Sequence, residues 1–330
     1  MMTELKQLPP PSIPNTRPLP RAGTLLDAIG KTPLVRLERI LRPRDWTLYA
    51  KLDGLNPAGS TKDRAAIRAI TDAMERGEVD RDTLIVESSS GNMGVGLAQA
   101  CSYLGLRFHC VVDPHTTQQN ILLMRAYGAH VEVVQHCDPI TKSYLSTRIA
   151  RVKELLAANP NSFWTNQYEN LSCVASHADT TAPEIVTQLG AFPDYFFCSV
   201  GTCATIQGCA QYFHEQGAHT KIVAVDAIGS VILGGEPAAR KIPGMGSARK
   251  SSLLDMSLID IPVHTDEDEA IDWCRRMARE EALLVGGSSG AVVAAVAQLQ
   301  AQIPPGATVV TLLPDRGERY MDLIFGEDTE

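Results

Sequence analysis

Lys62 is the residue of this chain best placed for covalent chemistry. It stands in Asn56-Pro57-Ala58-Gly59-Ser60-Thr61-Lys62-Asp63-Arg64. Asn-Pro and the following Gly mark a tight turn, and Ser60 or Thr61 can cap a helix running through Asp63, Arg64, Ala65, Ala66, Ile67 and Ile70. A lysine at a helix start meets backbone N–H groups and the positive end of the dipole, which lower the cost of keeping its amine neutral. A neutral amine is a Schiff-base nucleophile. The same pattern describes an ordinary solvated lysine, so the choice turns on what other loops supply.

Three loops supply partners. Gly201-Thr202-Cys203-Ala204-Thr205 lies between a buried run and a helical one. That is the setting for a phosphate cup, in which backbone N–H groups, threonine hydroxyls and a helix dipole face an anion. It has neither the lysine of a P-loop nor the spacing of a dinucleotide fingerprint, and a plain strand–helix turn is the competing reading. Ser88-Ser89-Ser90-Gly91-Asn92-Met93 can hold a carboxylate through hydroxyls and loop amides, leaving Asn92 to meet a hydroxyl. Gly286-Gly287-Ser288-Ser289-Gly290 brings two hydroxyls to the top of another helix. Both also read as helix caps. An amine, a phosphate cup, an asparagine and a buried serine on separate loops together describe a pyridoxal phosphate site.

The elements that must carry these loops alternate along the chain. Strands are expected at 46–53, 83–87, 107–112 and 130–134, with helices from Lys62, over Val95 to Leu104, Thr116 to Tyr127 and Thr141 to Ala158. The pattern then restarts: a helix from Ala182 to Leu189 with Pro183 in its first turn, a strand at 194–200, a helix ending near Gly217 and a strand at 221–225. Helices over Asp266 to Ala282 and Ser289 to Gln302 precede a last core strand at 307–313. Strands alternating with helices imply α/β units with parallel sheets covered on both faces. Two units are expected, divided near 158–165. In such sheets ligands bind beyond the carboxyl ends of the strands, where all four loops fall.

Composition fits this picture. The 330 residues are 44% hydrophobic and 21% charged, as in a soluble globular protein of two domains. A net charge of −8 argues against a nucleic-acid partner, and no apolar run reaches the length of a membrane span. Residues 1–22 are polar and proline-rich without the apolar core of a signal peptide, so a flexible arm on a cytoplasmic protein is expected. The eight cysteines form no CxxC pair and the eight histidines lack zinc-site spacing; buried free thiols and no structural metal are expected.

The loops resemble the cysteine synthase family of fold-type II pyridoxal-phosphate enzymes. The motifs that carry the resemblance are Gly30-Lys-Thr-Pro-Leu34, the Lys62 stretch, Ser89-Ser-Gly-Asn92, Gly201-Thr-Cys-Ala-Thr205, Ile242-Pro-Gly-Met-Gly246, Gly286-Gly-Ser-Ser-Gly290 and Leu313-Pro-Asp-Arg-Gly-Glu-Arg-Tyr320. The resemblance implies two doubly wound α/β domains with the cofactor between them: a smaller, mobile one over 53–163, and a larger one from 23–52 plus 164–330. It further implies that Lys62 forms the internal aldimine, that Asn92 meets the cofactor's 3′-hydroxyl, that residues 201–205 hold its phosphate and that Ser288 faces the pyridine nitrogen. A neutral hydroxyl there makes the ring a weaker electron sink than a carboxylate would, favouring β-elimination to an α-aminoacrylate and addition of a nucleophile. Lys62 is then placed to take and return the Cα proton. Ser89, Ser90, Gly91, Met93 and Gln167 are expected to hold the amino acid substrate, and a homodimer is expected by resemblance.

Several segments look similar to the siderophore-pathway branch, whose members make N-(2-amino-2-carboxyethyl)-L-glutamate from O-phospho-L-serine and L-glutamate on the way to 2,3-diaminopropionate. They are Asn166-Gln-Tyr168, Ser146-Thr-Arg-Ile-Ala-Arg151, Val225-Asp-Ala-Ile-Gly-Ser230 and Leu313-Pro-Asp-Arg-Gly317. Arg148 can pair a phosphate or second carboxylate bidentately, against the alternative of an exposed arginine on its helix, and Tyr168 adds a hydroxyl where cysteine synthases usually have Phe. Gly201 is a departure, since this branch can carry serine there. Cys203 and Ala204 replace glycines usual in cysteine synthases, so the cup is expected to use backbone angles open to residues with a Cβ. The alternatives are a cysteine synthase using sulfide with O-acetylserine or O-phosphoserine, and a binding or regulatory protein that has kept the fold without the chemistry.

Overall fold

The computed structural model describes residues 23–138 and 144–326. The proline-rich arm and the expected helix start at Thr141 lie outside them. In chain order the elements are β1 (Leu34–Leu37), β2 (Thr47–Leu52), α1 (Lys62–Glu75), β3 (Leu84–Ser88), α2 (Asn92–Leu104), β4 (Arg107–Val112), α3 (Gln118–Ala126), β5 (His130–Val133), α4 (Tyr144–Ala158), β6 (Ser162–Trp164) and α5 (Leu171–Ser176). A π-helical turn, His177–Thr181, leads without a break into α6 (Ala182–Leu189). Then come β7 (Tyr195–Ser199), α7 (Ala204–Glu215), β8 (Lys221–Ala227), β9 (Ile261–Thr265), α8 (Glu267–Glu280), α9 (Gly287–Leu299) and β10 (Thr308–Leu313).

Ten strands make two sheets among the described residues. The larger runs β1-β2-β10-β7-β8-β9 and the smaller β5-β4-β3-β6. All pairs are parallel except β1 with β2. Chain order reverses between β10 and β7 in the larger sheet and between β3 and β6 in the smaller one. Loops leaving neighbouring strands diverge at such points and open a crevice. The loops after β7, β10 and β3 therefore belong to one kind of place in two sheets.

Packing follows from the sequence pattern. The central strands are apolar runs, and Phe196, Phe197, Val309 and Val310 are wholly buried; each large side chain removed from water stabilises the fold by about 1.5–3 kcal/mol. α9 is made of small apolar residues and buries most of its length, Ala291 to Val296, against the larger sheet. α2 does the same on the smaller sheet and stops at Gly105, whose φ of 72° only glycine adopts cheaply. α8 starts at Asp266, which accepts from the N–H groups of Asp268 and Glu269.

Three strands and one helix escape the sequence pattern: β1, β6, β9 and α5. All are short, and β9 carries Pro262 at the sheet edge, where its missing N–H costs nothing. β6 falls inside the stretch expected to divide the two units and pairs with β3 of the smaller sheet.

Candidate active site

Lys62 is the first residue of α1, as its turn-and-cap pattern implies. The Ser60 hydroxyl accepts from its backbone N–H at 3.2 Å, and the N–H of Thr61 donates to the Pro314 carbonyl at the end of β10. The lysine amine has no hydrogen-bond partner among the described residues, and crowding by protein lowers its pKa from the ordinary lysine value. Burial penalises the ammonium form and outweighs the opposing charge of Asp315.

Behind Lys62 a buried ionic cluster anchors α1 to the larger sheet. Arg64 donates to both oxygens of Asp53, at 2.8 and 3.0 Å, and to both of Glu184, at 2.6 and 2.9 Å. Lys51, wholly buried, donates to Glu184 at 2.7 Å, to the Thr32 carbonyl and to Gln188. The guanidinium holds the Asp53 carboxyl down to about 2 against its complete burial. Burial pushes Asp63 up to about 6, outweighing the Ala58 N–H and the charge of Arg319.

The Gly201–Thr205 loop closes onto the N-terminus of α7. A Cβ at Gly201 would lie 2.8 Å from the Gly244 carbonyl oxygen, so glycine is required by the close pass of Ile242-Pro-Gly-Met-Gly246. Cys203 corrects an expectation. It adopts φ 70°, ψ −2°, the left-handed region, so the cup does not use angles comfortable for a Cβ. That conformation costs about 1–2 kcal/mol in a non-glycine residue, offset here by burial of the thiol, which is 4% exposed. Ala204 is helical and buried; Thr202 is half-buried and its carbonyl accepts from Ser251. Thr205 is held at 3.2 Å by Nε2 of His177, whose Nδ1 meets Thr181 at 2.9 Å. Complete burial pushes His177 down to about 3, so its ring is neutral.

Asn92 opens α2, with Gly91 as its N-cap. Its amide is already engaged: Nδ2 donates to Asp315 at 2.7 Å and its oxygen accepts from Arg319. Asp315 also accepts from the Tyr320 hydroxyl, and its burial raises its pKa. A Cβ on Gly286 would lie 2.1 Å from Asp315 Oδ1, which explains glycine at the entrance to α9. Asp315 thus touches the Asn92 loop, the Gly286 loop and, by a bridge to Ser60, the Lys62 loop. Sequence reasoning quoted its Leu-Pro-Asp motif without giving it a role; its place just past the end of the last core strand was the available signal. His177 has no local motif; Arg64 stands in the Lys62 stretch and Glu184 at the start of the Ala182 helix, but neither segment announces that the two residues pair.

Ser288 is the second residue of α9, half-buried, with no hydrogen-bond partner among the described residues. Ser89 is buried and its hydroxyl accepts from the N–H groups of Gly94 and Gly91, the capping role. Ser90 offers its carbonyl to Asn120. The Met93 side chain is packed in the core of the smaller sheet, which leaves its backbone to the loop. Gln167 and Tyr168 follow β6, tied to the Ser88 loop by Glu87, which accepts from Thr165 at 2.6 Å and from the N–H groups of Ser88 and Gln167. The Gln167 side chain donates to the Ser88 carbonyl. Arg249 covers the Tyr168 ring at 4.9 Å. Burial raises the Tyr168 hydroxyl pKa, and the charges of Arg148 and Arg249 act against it.

Arg148 faces inward from α4 and is 8% exposed, which removes the reading of a solvated surface arginine. Its Nε pairs with Asp113 at 3.3 Å past the end of β4, and among the described residues Nη1 has no hydrogen-bond partner. Buried guanidinium donors left open are costly unless a ligand completes them.

The site brings together what a phosphorylated carbonyl compound would need in an α/β enzyme: an amine whose pKa burial lowers, a helix N-terminus without a side-chain cap, and hydroxyls at a second helix start. The chain belongs to the pyridoxal-phosphate dependent enzymes, whose family model matches residues 25–315. Solved relatives agree. O-ureido-L-serine synthase is 31% identical with a TM-score of 0.87, over 94% of this chain and 97% of that one. A hydrogen sulfide-producing enzyme from Fusobacterium nucleatum is 32% identical, TM-score 0.85, over 91% and 99%. An O-acetylserine dependent cystathionine beta-synthase from Helicobacter pylori is 33% identical, TM-score 0.84, over 91% and 97%. These place the chain in the fold-type II group. Among the described residues no helix is long and apolar enough to cross a membrane.

The residues present fit the cofactor. Besides the free amine of Lys62, buried polar atoms without partners among the described residues lie on the surrounding loops: Thr61 Oγ1, Ser88 Oγ, Ser289 Oγ and Asp315 Oδ1.

Proposed function

We propose that this enzyme is a β-replacement synthase that joins O-phospho-L-serine and L-glutamate, giving N-(2-amino-2-carboxyethyl)-L-glutamate and phosphate for 2,3-diaminopropionate and siderophore synthesis. The observation that carries the choice is Arg148, a buried guanidinium at the carboxyl end of the smaller sheet, ion-paired to Asp113 through Nε and with Nη1 open among the described residues. A phosphate leaving group or a second side-chain carboxylate would use it, whereas acetate and sulfide would not.

In this reading Lys62 would link to the cofactor, residues 201–205 would hold its phosphate and Ser288 would meet its ring nitrogen. Pyridoxal phosphate, when bound, supplies the electron sink that makes the Cα proton of an amino acid acidic. The chain's part is positional. Burial, which lowers the Lys62 pKa, would favour the free amine that takes the Cα proton and returns it after the nucleophile has added. The N-terminus of α2, with Ser89, Ser90 and the N–H of Met93, would orient the substrate carboxylate, and Gln167 and Tyr168 would close over it. Asn92 would exchange its bond to Asp315 for the cofactor's hydroxyl. A cytoplasmic homodimer accompanies this reading.

The test feeds purified enzyme O-phosphoserine with glutamate or with sulfide, in separate reactions, and identifies products by mass. The proposal requires the glutamate adduct, and its loss in Lys62→Ala. Formation of cysteine alone would instead favour a sulfide-using cysteine synthase, the reading that the glycine at 201 favours by resemblance.

A further inference from the structure

We propose that His109, His130 and Glu132 form a binding site for a zinc-like divalent cation on the outer edge of the smaller sheet. None of the three residues takes part in the Lys62 site described above, and the inference is independent of the substrate assignment. His109 on β4 is the register partner of His130 on β5, and Glu132 follows two positions on, so side-chain alternation puts all three on one face. One ligand atom from each lies within 4.8 Å of the others. His109 Nε2 and Glu132 Oε2 are 2.9 Å apart, and the imidazole centroids are separated by 4.4 Å at 72°.

Two imidazoles and a carboxylate are a borderline donor set suited to zinc, with water completing a tetrahedron. Bonds of about 2.0–2.1 Å to the metal need ligand atoms only slightly rearranged from those here. Spacing along the sequence could not reveal the trio, because strand register and not local sequence brings it together.

Arg151 on α4 is the competitor. It donates to Glu132 through Nε at 2.6 Å and Nη2 at 3.3 Å. It also has a second carboxylate, Glu154, at 2.8 Å, to which it can turn when a cation takes Glu132. Removing Arg151 should therefore tighten metal binding, an outcome that incidental surface adsorption would not produce.

The experiment titrates the cofactor-loaded enzyme with Zn2+ by calorimetry and with Co2+ by absorbance. One Zn2+ per chain is expected, weakened tenfold or more in His130→Ala and in Glu132→Gln and tightened severalfold in Arg151→Ala. Zn2+ should raise the melting temperature of the wild type and not of His130→Ala. Bound Co2+ should show weak visible bands without thiolate charge transfer. His130 is exposed, so its removal leaves the fold intact. No binding, equal affinity in wild type and His130→Ala, or a thiolate band pointing to cysteines would each overturn the proposal.

Discussion

Arg64 and Glu184 are joined by two parallel hydrogen bonds, of 2.6 and 2.9 Å, between α1 and α6. This pair fixes the helix that begins with Lys62 against the sheet that carries the phosphate cup. Glu184 also accepts from buried Lys51, so one carboxylate serves two cations.

Glu184→Gln should therefore destabilise the fold by about 3 kcal/mol or more, because it leaves Lys51 and Arg64 buried with one carboxylate, Asp53, between them. Urea unfolding of the two proteins measures the difference. A loss below about 1 kcal/mol, the value of an exposed pair, would mean that the cluster does not anchor α1.

Arg148→Ala should lower kcat/KM for O-phosphoserine and glutamate about a hundredfold while leaving bound-cofactor absorbance unchanged, through loss of a charge-assisted contact to the substrate. Its Asp113 partner is then left buried and unpaired, so Arg148→Ala is best read beside Asp113→Asn, which keeps the guanidinium. Equal rates in wild type and Arg148→Ala would assign Arg148 to the fold alone.

Much of the site was readable from local chemistry. Lys62, Asn92, the 201–205 loop and Ser288 each announced themselves by a turn, a glycine or a cap next to a periodic segment, and each opens its helix or lies at its first turn. What local patterns cannot carry is long-range pairing. Asp315 meets Asn92 across 223 positions and Arg64 meets Glu184 across 120. Nor could they show that Met93, beside Asn92 in sequence, turns its side chain into the core, or that Cys203 accepts a left-handed backbone. Helix phase and tertiary crowding decide both.

Two buried aspartates should give stability opposite dependences on pH. The folded pKa of Asp63, about 6, lies above its ordinary 3.8, so its contribution is full below pH 4 and is lost as pH rises through 6. The shift corresponds to at most ~3 kcal/mol. Asp53, held at about 2, contributes above pH 4 and loses that contribution only as pH falls through 2. Asp63→Asn keeps an acceptor for the Ala58 N–H and removes the charge. Relative to wild type, the variant should gain stability between pH 4.5 and pH 7.5, by roughly 1–3 kcal/mol in urea unfolding. A difference between the two proteins that stays constant over that range would show that Asp63 ionises freely.

His177 should act on the phosphate cup through Thr205 and through nothing else. Its ring is neutral, so it has one N–H and one lone pair to share between Thr181 and Thr205. If Nε2 carries the proton, the Thr205 hydroxyl accepts from it and its own hydrogen is free to point at a phosphate oxygen; Thr181 then donates to Nδ1. The opposite tautomer would spend the Thr205 proton on the ring and leave the cup one donor short. The first arrangement predicts that His177→Phe and Thr205→Val each raise the dissociation constant for pyridoxal phosphate about tenfold, the worth of one hydrogen bond to a charged group. It also predicts that the double variant is no worse than Thr205→Val, because the histidine has nothing left to orient. Cofactor titration followed by absorbance gives all three constants. Additive losses in the double variant would show that His177 supports the loop by packing, and not by fixing the Thr205 proton.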